Sequence, residues 1–402
     1  MRRIIFVDDE PNVLAGIQRM LRQQRGQWNM AFATGGDAAL AEMSKQHFDV
    51  IVTDMRMPGM DGATLLKTVK ERDPRVVRII LSGFSELEAV LRSVPVAHQF
   101  LTKPCDADIL RDTIERACCL QTILSDEALR RLVGGVQGLP SIPHVYSKLV
   151  TALENPDASL RDVAAIVETD VGLCARILQL VNSSFFGLGR KISNLQSAVS
   201  YLGINTIKNL SLSVDVFRTL KEFPRRLCRR VEILQDHALL SSAIARRIVE
   251  DKPLADEVFV ASLLHDVGQL VLITRIGERY AEIQDEAQKR HKPIYEIENE
   301  QYGTTHAEVG AYLLGIWGLP YPVVEAVAYH HHPGRVNSRK FDTVAAVHVA
   351  DYLTHRWEGA QMADGYDPTL LLDRDLVASL GIADRLPEWE KLVDSMTERR
   401  DG

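Results

Sequence analysis

Residues able to handle a phosphoryl group stand at four places in the first quarter of the chain: Asp8-Asp9, Asp54, Ser82 and Lys103-Pro104. Each follows a short apolar run, namely Ile4–Val7, Val50–Thr53, Val77–Leu81 and Gln99–Thr102. Three carboxylates brought together repel one another, and a hard divalent cation with oxygen ligands, Mg2+, resolves that conflict. Asp54 can then act as an oxygen nucleophile and carry the group as an aspartyl phosphate. The cation and Lys103 offset charge on the transferring group from two sides, and Ser82 can hydrogen-bond a phosphoryl oxygen once it arrives. Any one of these acids is explained as well by a helix cap or a satisfied loop. Complementary chemistry at four run ends, in order, is not.

The second half carries a different set: His237, His265-Asp266, His306, His330-His331-His332 and Asp351. His265-Asp266 interrupts the apolar run Val258–Ile273, which should form a helix buried on most sides. An imidazole and a carboxylate are costly there without partners or a metal. Imidazole and carboxylate ligands on packed helices suit a divalent transition metal such as Fe, Mn or Zn, and an ion that activates water would make a phosphohydrolase. The alternative is a hydrogen-bonded polar knot in the core. The run His330–His332, beside Pro333-Gly334, equally suits a solvated loop edge.

The elements that would position the first set alternate β-branched runs with amphipathic stretches. A fifth strand is predicted at Met30–Ala33, and helices at Pro11–Gln23, Gly36–Lys45, Ala63–Glu71, Glu86–Val94 and Asp106–Leu120. This is the pattern of βαβ units, and a doubly wound, five-stranded parallel α/β sheet follows. Such open sheets bind ligands at the carboxyl ends of their strands, where the acids and the lysine fall. From about Leu129 the strand signals stop, and Gly134-Gly135 and Gly138–Pro143 mark a joint. Beyond it Ile142, Val145, Tyr146, Leu149 and Leu153 repeat at helical spacing, so the second domain is expected to be all-α. The predicted division is residues 2–120, a helical linker at 121–138, a second domain at 139–335 and a helical extension at 336–402.

A chain of 402 residues exceeds the usual single core. Its net charge of −7 disfavours wholesale electrostatic binding to nucleic acid or anionic lipid. Arg225-Arg226, Arg229-Arg230 and Arg246-Arg247 form a local basic cluster that a solvated helix face explains. Five cysteines without a C-x-x-C pair read as reduced thiols in a cytoplasmic protein. The N-terminal apolar run is too short for a signal peptide, and Val258–Ile273 reads as a core helix rather than a membrane span.

Phe6-Val7-Asp8-Asp9-Glu10, Val52-Thr53-Asp54-Met55-Arg56-Met57-Pro58-Gly59-Met60-Asp61-Gly62, Leu81-Ser82-Gly83 and Phe100-Leu101-Thr102-Lys103-Pro104 resemble the receiver domain of two-component response regulators, over about Arg2–Leu120. The resemblance implies that Asp8, Asp9, Asp54 and the backbone carbonyl of Arg56 hold Mg2+, and that a histidine kinase phosphorylates Asp54. It also implies a cis Lys103–Pro104 bond, with Ser82 and Phe100 at switch positions where a new hydrogen bond biases a two-state element.

The order His237, His265-Asp266, His306, His330-His331, Asp351 resembles the HD superfamily and its HD-GYP phosphodiesterases. The body, over about Leu132–Pro333, is more similar to the related HDOD domain. That likeness rests on Leu139-Pro140-Ser141-Ile142-Pro143, Asp170-Val171-Gly172-Leu173-Cys174-Ala175-Arg176-Ile177-Leu178 with Val181-Asn182-Ser183, Ala198-Val199-Ser200-Tyr201-Leu202-Gly203, His306-Ala307-Glu308-Val309-Gly310 and Trp317-Gly318-Leu319-Pro320. HDOD domains are generally regarded as signalling or scaffold modules. The chain departs from the phosphodiesterases at Gln269, where they carry lysine after His-Asp-x-Gly, and lacks their Gly-Tyr-Pro element. Two functions follow from these likenesses. One is a phosphorylation-controlled module engaging an output protein or a nucleotide ligand; the other is a receiver-gated, metal-dependent phosphodiesterase acting on a cyclic dinucleotide. In either, the segment Asp106–Gly135 is expected to carry the switch, with a homodimer as one route.

Overall fold

The computed structural model describes residues 1–83, 90, 93–120, 127–136, 139–141, 143–155, 158–183, 191–212, 217–219, 223–336, 340–361 and 368–398. In the N-terminal half β1 (Arg2–Val7), β2 (Trp28–Ala33), β3 (Val50–Asp54), β4 (Val77–Gly83) and β5 (Gln99–Lys103) form a parallel sheet in the order β2-β1-β3-β4-β5. Each predicted strand is present and runs one or two residues further at one or both ends. Every residue of β3 is buried, as is Ile4–Val7 of β1, because crossover helices must cover a parallel sheet. Those helices are Pro11–Met20, Gly36–Met43, Gly62–Arg72 and Ala107–Leu120. The first ends earlier than its apolar spacing predicts and passes into a 3-10 turn at Arg22–Gly26. Most of the predicted helix Glu86–Val94 lies outside the described residues.

Strand order reverses at β1 and β3, so their carboxyl ends form the crevice where such sheets place ligands. Register aligns the polar residues there. Val7 pairs with Thr53, which sets Asp8 beside Asp54. Asp54 pairs with Leu81, one residue before Ser82, and Gly83 pairs with Lys103.

The C-terminal half is mostly helical but not wholly so. Strand β6 (Leu139–Ser141) pairs in parallel with β7 (Phe217–Thr219), and three-residue strands show no period by which an all-α reading could have found them. Pro143–Glu154 is helical with Val145, Leu149 and Leu153 buried; Ile142 lies outside the described residues. The helices Arg225–Ile248, Lys252–Leu264, Tyr321–Tyr329 and Thr343–Gln361 pack together, and His306–Ile316 packs on Val267–Ile276 and Tyr321–Tyr329. By length and composition Lys252–Ile276 could cross a membrane, but 89% of its most apolar window is buried inside the protein.

The predicted single helix through Val258–Ile273 is broken at His265-Asp266, between Lys252–Leu264 and Val267–Ile276. Consecutive side chains on an unbroken helix diverge by about 100°. The break lets both turn inward, His265 to one ligand group and Asp266 to the adjoining one. Immediately after it, a Cβ on Gly268 would lie 1.9 Å from the His306 carbonyl oxygen, so only glycine permits this helix crossing.

His306–Ile316 also meets the N-terminal half, packing on Ala107–Leu120 and Glu127–Gly134. The Gln99 side chain at the start of β5 donates to the Ile316 carbonyl at 3.0 Å, and lies against Gly318, whose φ is +78°. Gln179 donates to the His98 carbonyl, and Arg176 is stacked 4.2 Å over the Trp317 ring. Arg78 is buried and donates to the carbonyls of Val96 and Gly134, tying β4 to the joint; burial draws its pKa down to about 9.

Candidate phosphoacceptor and metal centre

At the carboxyl end of the sheet, Asp8 and Asp54 are buried and the Lys103 ammonium lies between them, 2.7 Å from Asp8 Oδ2 and paired with Asp54 Oδ1. The Arg56 amide donates to Asp54 Oδ2 at 2.9 Å, which folds the peptide after the strand back onto the carboxylate. Burial pushes the Asp54 carboxyl above its ordinary value, against the opposing bond to Lys103. Desolvation works against the Lys103 charge, yet its bonds to Asp54 and Asp8 prevail and its pKa is raised. Asp9 is half-buried next to Asp8. Ser82 and Phe100 are fully buried on the neighbouring strands β4 and β5, and Lys103–Pro104 is cis. One ammonium shared by the Asp8 and Asp54 carboxylates, with Asp9 the next residue along, leaves an excess of negative oxygen donors, a set that fits Mg2+.

The helical half assembles its histidines from distant segments. His237 comes from Arg225–Ile248, His265 and Asp266 from the helix break, and Asp351 from Thr343–Gln361. His306 opens its helix because Thr305 and Glu308 form a capping box there. His330 ends Tyr321–Tyr329, with His331 in the following turn. Among the described residues three groups of ligand atoms form: Asp266, His306, His330 and His331; His237, His265 and Asp351; and, sharing His237, a set with His355 and Glu358. Every ligand-type residue read from the sequence is thus brought in. His332 is exposed and stands edge-on to Tyr295.

Four of the five ligand rings are held by the far nitrogen. His265 Nδ1 donates to the Ser262 carbonyl at 2.5 Å and His330 Nδ1 to the Val327 carbonyl at 2.9 Å. His237 Nδ1 faces Glu358 at 3.0 Å, and His306 Nδ1 faces Glu298 at 2.7 Å. Imidazoles aimed at metals are characteristically fixed in this way, with Nδ1 protonated and the Nε2 lone pair pointing inward. The buried atoms His265 Nε2 and His330 Nε2 have no hydrogen-bond partner. His330 Nε2 lies 3.8 Å from Asp266 Oδ1, too far for a proton to bridge. Metal–ligand bonds of about 2.0–2.2 Å place adjacent donors about 2.9 Å apart at a right angle and about 3.4 Å apart at the tetrahedral angle. Asp266 Oδ1 to His306 Nε2 is 3.0 Å, and His306 Nε2 to His331 Nε2 is 2.9 Å. The donor set fits a divalent transition metal better than it fits a knot of hydrogen bonds.

Desolvation opposes the charge on Asp266, but the imidazoles of His265 and His306 prevail and hold its carboxyl well below the usual range. Burial keeps His330 neutral, with its pKa drawn down to about 3, and lowers that of His331 as well. Glu298, Glu358 and His355 were missed by the sequence reading. His355 and Glu358 follow Asp351 at i+4 and i+7, a helical spacing that could have revealed them. Glu298 offers no such signal, since its helix ends before His306. A cavity of about 240 Å3 opens beside this centre, with Asp266, His306, His331, His355, Gln269 and Tyr295 among its walls. Four arginines of the basic cluster are paired: Arg226 and Arg230 with Asp285, Arg229 with Glu232, and Arg246 with Asp256.

The response regulator receiver domain family matches residues 4–115, and the HDOD domain family matches residues 139–333. The chain is therefore of the response-regulator class, a receiver domain joined to an HDOD domain. An uncharacterized protein of Treponema pallidum is 26% identical over 227 residues, covering 56% of this chain and 44% of that protein. The hydrogenase transcriptional regulatory protein HoxA of Cupriavidus necator is 34% identical over 125 residues, 31% of this chain and 25% of its own length. The chain thus matches less than half the length of either relative. Among solved structures, the MmoQ response regulator of Methylococcus capsulatus aligns with a TM-score of 0.46 at 22% identity, covering 60% of this chain and 98% of that one.

Proposed function

We propose that this chain is a cytoplasmic, phosphorylation-controlled regulator. A histidine kinase supplies a phosphoryl group to Asp54, and the change reaches the HDOD half through the helix His306–Ile316. One observation carries the reading: that helix receives Gln99 of β5 at its last residue and supplies His306 to the histidine cluster at its first. Phe100, at the implied switch position, is the next residue after Gln99.

In the receiver, Asp8, Asp9, Asp54 and the Arg56 carbonyl would hold Mg2+, which would supply positive charge to offset that of the phosphoryl oxygens. Asp54 attacks the donor phosphorus through one carboxylate oxygen as the phosphorus–nitrogen bond to the kinase histidine breaks and its imidazole leaves, and Lys103 shifts its pairing toward the oxygens of the arriving group. Ser82 then donates its hydroxyl to one of those oxygens, and Phe100 repacks on β5, disturbing the Gln99–Ile316 bond.

In the HDOD half, Asp266, His306, His330 and His331 would hold one divalent transition metal, and His237, His265 and Asp351 a second. A bound ion there supplies Lewis acidity. Gln269 donates its amide to Asp266 Oδ2 at 2.8 Å and has no proton to give a leaving group. The cavity of about 240 Å3 falls below the usual range for drug-sized ligands, about 300–1,000 Å3, and is small for a cyclic dinucleotide. The role favoured is capture of a nucleotide ligand or an output protein without turnover. The metal-dependent phosphodiesterase is the second reading, kept by the paired ligand clusters; hydrolysis of a cyclic dinucleotide that disappears in Asp266→Ala would establish it.

The principal reading is tested by incubating the chain with acetyl phosphate and Mg2+ and measuring intact mass. Wild type gains one phosphoryl group and Asp54→Ala gains none; equal labelling of the two overturns the assignment.

A further inference from the structure

Asp351, His355 and Glu358 occupy positions i, i+4 and i+7 of the helix Thr343–Gln361 and so share one face. All three lie beyond residue 333, where the HDOD family match ends. From this face we infer that His355 is a further protein ligand of the Asp351 ion site, beside the His237 ring that Glu358 orients, making a centre of three imidazoles and one carboxylate for a divalent transition metal. The inference rests on the metal reading proposed above and extends it.

A single oxygen, Asp351 Oδ1, is approached by three imidazole nitrogens. His237 Nε2 stands at 3.1 Å, His355 Nε2 at 3.4 Å and His265 Nε2 at 3.6 Å. A carboxylate oxygen offers two lone pairs in the carboxylate plane, so three ring donors cannot all be satisfied by hydrogen bonds to it. The two longer separations also exceed normal hydrogen-bond lengths. Donors arranged around one ion need no direct bond between them, and separations of about 2.9–3.4 Å or slightly more are what bonds of about 2.0–2.2 Å produce.

The opposite edges of two of these rings meet a common carboxylate. His237 Nδ1 lies 3.0 Å and His355 Nδ1 3.7 Å from Glu358 Oε2. Glu358 therefore favours protonation of His237 at Nδ1 and leaves its Nε2 lone pair directed at Asp351, while it only faces the His355 ring. The His237 ring is flanked by His265 at 5.3 Å and His355 at 4.6 Å between centroids. The neighbouring centre has the same composition, with His306, His330 and His331 around Asp266. His355 differs from the other five histidines in being about a third exposed, at 35%, on the cavity wall. It is the side from which an ion or an exogenous ligand can enter. Nitrogen-rich sets of this kind select Zn2+, Fe2+ or Mn2+ over Mg2+.

The test uses the full chain, stripped with a chelator and titrated with Zn2+ against a chromophoric competitor, with bound metal counted by elemental analysis. Wild type is expected to take up an ion at each of the two clusters. His355→Ala should weaken one equivalent by about 100-fold or more while the other is retained, and Glu358→Gln should weaken the same equivalent by about 10–100-fold. Cobalt substitution gives a second readout, because loss of a nitrogen ligand changes the visible absorption of the affected site. His355→Gln, close in size and neutral, replaces the alanine variant if circular dichroism shows that one misfolded. If wild type holds both equivalents and the His355 and Glu358 variants hold them with unchanged affinity and cobalt spectra, His355 is not a ligand and the inference fails while the metal reading stands. If wild type takes up no metal, both fail.

Discussion

Replacing Gly268 with alanine adds a methyl group 1.9 Å from the His306 carbonyl oxygen, 2.7 Å from the carbonyl carbon and 2.8 Å from the Gly310 nitrogen. All three are backbone atoms, so no side chain can rotate away. An ordinary contact of about 3.5 Å requires the helices Val267–Ile276 and His306–Ile316 to separate by roughly 1.5 Å. Overpacking of this kind costs about 1–3 kcal/mol, or about 2–12 °C in Tm for a domain of this size. The same movement draws His306 away from Asp266, now 3.0 Å apart, and should lower affinity for the metal at that cluster by at least about 10-fold. The assay is thermal unfolding of wild type and Gly268→Ala with chelator and with excess Zn2+. At 100 times Kd a ligand adds about 2.7 kcal/mol. Wild type should show that gain, and the variant should lose much of it in addition to its lower metal-free Tm. A variant with unchanged Tm and an undiminished response to metal would refute the close crossing as the device that assembles the cluster.

Gln99→Ala should cost about 1–3 kcal/mol by stranding the Ile316 carbonyl, and should leave acetyl phosphate labelling of Asp54 intact; urea unfolding and intact mass read the two effects. Chelation alone should lower the Tm of wild type and should do so less in Asp266→Ala; equal shifts would argue against a metal at that cluster. Asp73 is half-buried, and against that desolvation His47 and Arg75 hold its carboxyl below the ordinary range. With a depressed folded-state pKa, its contribution is present above the unfolded value and is lost as pH falls toward the folded one. Asp73→Asn should therefore be less stable than wild type at about pH 7, with the gap closing in acid; a gap independent of pH contradicts this.

The receiver was legible because β1, β3, β4 and the start of β5 are largely buried, so their apolar runs end abruptly at Asp8, Asp54, Ser82 and Lys103. Sheet register then brings those ends together with no further information. The HDOD half was less legible for two reasons. Its ligands come from separate helices, so their meeting depends on packing at Gly268 and Gly310 rather than on local pattern. The break at His265-Asp266 is also invisible to hydrophobic periodicity, since apolar residues continue on both sides of it. His355 and Glu358 were within reach of a helical-spacing argument from Asp351. Glu298 was not, because the loop and cap between its helix and His306 obey no period. The strands β6 and β7 are too short and too far apart in sequence to announce their pairing.

The central claim is that phosphate at Asp54 is felt at His306 along one helix. It is tested most directly by amide hydrogen exchange of the full chain, with and without acetyl phosphate and Mg2+, read peptide by peptide. Altered exchange in both Gln99–Lys103 and His306–Ile316, absent from Asp54→Ala, is the predicted result. Changes confined to the receiver, with His306–Ile316 exchanging identically in both states, would contradict it.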